Sequence, residues 1–116
     1  MRRDEAYLLD MLIAARKVER FAADLTQEAF LRSELHQSAI IRELQVIGEA
    51  ARLVSEEGKE AYPEIAWTKI AGMRNRLVHE YFRISLEVVW QTVRDDIALL
   101  TAQLEPIVPP EDEWDK

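Results

Sequence analysis

Residues 4–25 read D-E-A-Y-L-L-D-M-L-I-A-A-R-K-V-E-R-F-A-A-D-L. Leu8, Met11, Leu12, Ala15, Val18, Ala22 and Leu25 recur at the spacing that gathers side chains on one face of an α-helix. Asp4 and Glu5 stand in its first turn, where carboxylates meet the positive end of the helix dipole. A long helix with one apolar stripe is stable only when that stripe is covered, so partner helices are expected. Thr26, followed by Gln27, Glu28 and Ala29, is a cap for a short segment. A second long helix is predicted over about 34–57 from Ile40, Leu44, Ile47, Ala51 and Val54, ended by Gly58 and Tyr62-Pro63. A third should begin around Glu64 to Ala66 and run to about His79. After a turn at 81–85, Ser85 caps a last helix with the stripe Leu86, Val89, Val93, Ile97, Leu100 and Leu104, stopped by Pro106 and Pro109-Pro110. With no trustworthy strand alternation, repeat or linker, the predicted fold is an all-α bundle of four main helices plus a short one.

A chain of 116 residues, 48% hydrophobic and 32% charged, suits one folded domain spanning 1–116, with a core over about 4–104 and an acidic tail over 106–116. The lack of cysteine excludes disulfides, thiolate metal sites and a cysteine nucleophile, and suits a reducing, cytoplasmic setting. The start M-R-R-D-E-A-Y and the absence of any apolar run near the ~18 residues of a membrane span give an expectation of no membrane insertion, secretion or lipid anchor. A net charge of -7 argues against a protein that coats nucleic acid. From Glu64 to Arg83, however, Lys69, Arg74, Arg76 and Arg83 outnumber Glu64 and Glu80, a local +2, which leaves -9 for the rest. A small positive site on an acidic body is compatible with this distribution.

The segment M-R-N-R-L-V-H-E-Y-F at 73–82 concentrates that charge. On a helical wheel Trp67, Ile70, Met73, Leu77 and Val78 fall within about 100° of Arg74, so this arginine projects from the apolar arc. A buried guanidinium lacking a partner costs roughly 3–5 kcal/mol, so Arg74 is either paired, for instance with Glu49 or Asp95, or presented into a cleft. Thr68, Gly72, Asn75 and His79 form a second stripe of small and polar groups, in which Asn75 and His79 are close enough to touch and Gly72 would admit a helix or a phosphate backbone. Imidazole suits proton transfer near neutral pH and guanidinium suits a phosphate fork. Equally, His79 could only hydrogen-bond the end of its own helix. The residues alone lead to a polar, phosphate-binding cleft with acid–base capacity.

The run R-N-R-L-V-H-E-Y matches R-x-x-x-x-H-x-Y, and the chain resembles the HepT-type toxins of the HEPN superfamily of small helical ribonucleases. A-I-I-R-E-L-Q-V-I-G-E-A-A at 39–51, P-E-I-A-W at 63–67, I-A-G-M-R-N-R-L-V-H-E-Y-F at 70–82 and S-L-E-V-V-W at 85–90 extend the resemblance over about 4–104. It implies a HEPN-like bundle and a metal-independent endoribonuclease without a cofactor, in which Arg74 and His79 are catalytic and Asn75 supports them. It further implies a homodimer that pairs two copies of the site across a cleft. The implied setting is a type VII toxin–antitoxin pair, whose MNT-type nucleotidyltransferase antitoxin inactivates the toxin by transferring AMP to Tyr81. Arg76 and Arg83 are candidate RNA-phosphate contacts or plain helix-end charges. Arg42 and Glu49, seven apart on one helix face, could orient the catalytic residues or form a salt bridge in the dimer. His36 reads as surface or structural, Trp67 and Trp90 as core, and Trp114 as part of the tail. Two rival readings share this fold: a catalytically silent HEPN protein that binds nucleotide or a protein partner, and a helical scaffold.

Overall fold

The computed structural model describes residues 2–108; the expected tail from Pro109 onward, with Trp114, lies outside the described residues. The chain folds as α1 (Arg2–Ala22), α2 (Gln27–Arg32), α3 (Glu34–Leu53), α4 (Glu56–Ala61), α5 (Trp67–His79), a 3-10 turn (Tyr81–Arg83), α6 (Leu86–Thr92), a π-helical turn (Val93–Ile97) and α7 (Ala98–Leu104). The last three are consecutive and form one rod, so α1, α3, α5 and this rod are the four main helices of the expected all-α bundle.

Central α3 packs against α1 on one side and α5 on the other, while the final rod closes over α1. The predicted stripes meet there. Leu8, Met11, Leu12, Ala15 and Val18 of α1, Ile40, Leu44, Ile47 and Ala51 of α3, and Val89, Val93, Ile97, Leu100 and Leu104 of the rod are all buried. Ala22, Leu25 and Leu86 pack at the margin of this core. Helix α2 carries Phe30 inward, and its ring lies against Trp90 with centroids 5.2 Å apart. Trp67 packs at the edge of the core while its Nε1 donates to the Tyr62 carbonyl at 3.0 Å.

The second helix stops earlier than the expected 57, and the cause is Asp4. Its buried carboxylate accepts from the Ser55 backbone N–H at 2.9 Å and the Ser55 hydroxyl at 2.5 Å. That bond draws Val54 and Ser55 into extended backbone, and the Ser55 hydroxyl accepts from the Gly58 N–H to cap a separate helix, α4. Gly58 therefore lies inside a helix and ends none. A Cβ there would stand 2.6 Å from Asp4 Oδ2 and 2.9 Å from Val54 Cγ1. Helix α5 begins at Trp67, with Ala66 as its N-cap, at the edge of the expected start. Residues 62–66 form a tight turn that buries Ile65, held where Gln103 Nε2 donates to the Glu64 carbonyl at 2.9 Å.

The π turn has a similar local reason. Val89, Val93 and Ile97 repeat every four residues, which on an ideal α-helix drifts the stripe by about 80° over two steps. A π turn winds through a smaller angle per residue and keeps Val93 and Ile97 facing α1 and the core. At the far end, the Ile107 and Val108 backbone N–H groups both donate to the Leu104 carbonyl, and Val108 is buried. The core thus extends past the expected limit at 104.

Candidate active site

Arg74 leaves α5 on the side facing α3, as the wheel required. Its stem lies directly over Gly48. A Cβ built on Gly48 would stand 2.2 Å from Arg74 Cβ and 2.6 Å from Cγ, so only glycine permits this approach of the two helices. The side chain keeps 25% of its surface, and its guanidinium is held at both ends: Nη2 lies 3.3 Å from Glu49 Oε2, and Nη1 donates to Asn75 Oδ1 at 3.3 Å. Of the two partners open to Arg74 on sequence, the structure selects Glu49. Asp95 instead accepts from Gln91.

Glu49 serves a second arginine as well. Arg52 donates to it through Nε at 3.2 Å and Nη2 at 2.7 Å. The hydrogen bond from Arg52 is the chief reason that the Glu49 carboxyl is held below its ordinary range, with partial desolvation opposing it and the charges of Arg52 and Arg74 adding to it. The same bond raises Arg52. Glu49 is thus ionised at neutral pH and fixes the guanidinium of Arg74 at the protein surface.

His79, in the last residue of α5, is exposed, and its side chain makes no hydrogen bond or ion pair among the described residues. The helix end is closed by the backbone instead, Glu80 N–H donating to the Arg76 carbonyl at 2.9 Å. Asn75 lies on the same exposed stripe, and its hydrogen bond goes to Arg74 and not to His79. A Cβ at Gly72 meets nothing within 4 Å, so within this chain the close helix approach is at Gly48, and Gly72 is open. Tyr81 opens the 3-10 turn that follows, half exposed, with Phe82 and Arg83 behind it. Arg76 and Arg83 line one shallow groove together with Glu80 and Ser85. Arg42 lies elsewhere, in a groove with Asp10, Ile13 and Lys17 that contains none of the other candidates.

Two contributors escaped the sequence reading. Gly48 was visible only as an unexplained glycine in the middle of a helix, which costs about 1 kcal/mol against alanine and so asks for a packing reason. Gln45, whose Nε2 donates to the Leu77 carbonyl at 3.2 Å, ties α3 to the last turn of α5 and gave no signal in its spacing. His36 is structural as expected, its Nδ1 sharing a 2.6 Å hydrogen bond with the capping hydroxyl of Ser33. Among the described residues no group of three or more His, Cys, Asp or Glu side chains is arranged to hold a metal ion, and no helix is long and apolar enough to cross a membrane.

Comparison with known proteins bears on the same segment. The family described as Ribonuclease HepT-like matches residues 11–107, which includes Gly48, Glu49, Arg74, His79 and Tyr81. The chain is 38% identical over 101 residues to the "Probable ribonuclease HepT" of Thermococcus cleftensis, covering 87% of this chain and 92% of that one. It is 33% identical over 101 residues to the "Putative RNase MJ1380" of Methanocaldococcus jannaschii, covering 87% and 93%. A bacterial relative, "Putative RNase TTE0752" of Caldanaerobacter subterraneus, is 34% identical over 84 residues, covering 72% and 75%. No solved structure is a significant match. By its sequence over 11–107 and its all-α, HEPN-like bundle, the chain belongs to the HepT-like ribonuclease family.

Proposed function

We propose that this protein is a metal-independent endoribonuclease of the cytoplasm, the toxin half of a toxin–antitoxin pair, and that it works as a homodimer. The observation that carries the reading is Arg74, a guanidinium seated over Gly48 and held by Glu49 and Asn75 at the surface, on the same helix as an unengaged His79. Cleavage requires a base to take the proton from an RNA 2'-hydroxyl, whose oxygen then attacks the adjacent phosphorus. An acid must protonate the departing 5'-oxygen, leaving a 2',3'-cyclic phosphate. His79 supplies the proton transfers, and Arg74 stabilises the charge that grows on the phosphoryl oxygens. Asn75 and Glu49 act through Arg74, as positioning residues.

Helix geometry supports the dimer. Five residues apart, Arg74 and His79 leave the α5 axis about 140° apart and about 7.5 Å along it. That spacing favours a site completed by a second chain, and each site holds one histidine, His79, where both an acid and a base are needed. A second copy facing the same helix end supplies both. Arg76 and Arg83, exposed beside the site, take flanking phosphates. In this reading the partner is an MNT-type nucleotidyltransferase that moves AMP from ATP to Tyr81, two residues from His79; the added phosphate repels RNA and competes for the arginines. The test is growth arrest on expression without a partner gene. Wild type should arrest growth and His79→Ala should not, at equal protein levels. Equal growth in both, with intact mass showing unmodified wild-type protein, argues instead for a silent nucleotide- or partner-binding protein.

A further inference from the structure

Phe82 is 98% exposed. It occupies the centre of the 3-10 turn Tyr81–Arg83, three residues beyond His79, and the neighbouring Tyr81 ring meets it edge-on, with centroids 5.4 Å apart and planes at 84°. Two positions later Ile84, just past the turn, packs partly buried against the core, while the larger Phe82 stays outside. Buttressed by Tyr81, the Phe82 ring offers a free π-face at a fixed place.

Its surroundings are polar and positively charged. Arg83 follows it directly, and Arg76 and Arg83 share the adjacent groove; neither has an ion pair among the described residues, whereas Arg52 and Arg74 both do. Exposed Glu80 and Ser85 flank the turn, and Val88 is half exposed in the same groove. A bare aromatic face beside unpaired guanidinium groups, on a protein of net charge -7, fits a ligand with flat apolar faces on an anionic backbone. We infer that Phe82 is a base-stacking platform: a base of single-stranded RNA next to the scissile phosphate stacks on its open face, and Arg83 takes the phosphate on that base's outer side. The inference rests on the ribonuclease reading, to which it adds a substrate-positioning residue and a preference for unpaired RNA.

The test uses the full chain and an all-2'-O-methyl RNA hexamer, which has no 2'-hydroxyl to attack and is bound without being cleaved. Phe82→Ala should weaken its binding by about 5- to 150-fold, the range that stacking of one base supplies, and Phe82→Trp should restore it. With cleavable RNA, the Phe82→Ala loss should appear mainly in KM. Binding by Phe82→Ala within twofold of wild type overturns the inference and, if wild type cleaves RNA, leaves the ribonuclease reading intact. A weaker complex explained by a changed oligomeric state in sedimentation also overturns it and assigns Phe82 to a protein contact. If Phe82→Ala loses hexamer binding while wild type cuts no RNA, the platform stands and the ribonuclease reading falls.

Discussion

Gly48→Ala tests the seating of Arg74 without touching Arg74 itself. The new methyl would stand 2.2 Å from Arg74 Cβ and 3.4 Å from its Cα, against the ~3.5–4.0 Å of an ordinary carbon–carbon contact. Rotating the arginine cannot relieve this, because Cβ is fixed by the backbone. Helices α3 and α5 must therefore separate by roughly 1–2 Å, loosening Leu77, which is fully buried, and the Gln45 bond to its carbonyl. Alanine gains about 1 kcal/mol over glycine in helix propensity, while overpacking of this severity costs about 1–3 kcal/mol and occasionally more. Weakening the solvent-screened Glu49–Arg74 pair adds little to this. With a 2.2 Å clash on a backbone-fixed Cβ, the upper end of the overpacking range applies and outweighs the propensity gain, with a net loss of about 2 kcal/mol. Gly72→Ala is the control of opposite sign: its Cβ meets nothing, so it should keep the propensity gain of about 0.5–1 kcal/mol. Urea denaturation of the three proteins at one concentration reads both. A Gly48→Ala variant as stable as Gly72→Ala would refute the account of how the two helices meet.

Further outcomes follow from the same contacts. Glu49→Gln should leave stability nearly unchanged yet lower RNA cleavage about 10-fold or more, because Arg74 keeps only Asn75 to orient it; undiminished cleavage would remove Glu49 from the site. Asp4 is held below its ordinary 3.8, first by the Ser55 hydroxyl and also by the Ser55 N–H, against desolvation. A depressed carboxyl contributes stability above its unfolded pKa and loses it as pH falls through the folded one, so the loss lies below about pH 3.8. Asp4→Asn should therefore lower Tm at neutral pH and flatten its fall in acid, and an unchanged acid limb would contradict this. Leu77→Ala opens a cavity under Arg74 and should cost about 2–5 kcal/mol by denaturant titration; a cost under about 1 kcal/mol would mean that the site does not rest on this core.

The apolar stripes were legible because burial imposes a period, and Leu8 to Val18, Ile40 to Val54 and Val89 to Leu104 keep it. Helix ends were legible where a hydroxyl caps within its own segment, as at Thr26 and Ser85. They were not where the cause lies 51 residues away, as in the Asp4–Ser55 bond that cuts α3 from α4. The candidate site divides in the same way. That Arg74 lies on the inner face followed from counting along one helix; that it rests on Gly48 depended on the register between α3 and α5, which a single sequence does not encode visibly. Gly72 had the more suggestive neighbours, but the close approach is at Gly48.

The most direct measurement is cleavage of total RNA in excess EDTA by wild type, His79→Ala and Arg74→Ala, each first checked for folding and oligomeric state, with intact mass confirming an unmodified Tyr81. The account predicts cleavage by wild type alone, with products ending in 2',3'-cyclic phosphate. Equal background from all three would contradict it and leave Arg74, Glu49 and His79 as a binding site without chemistry.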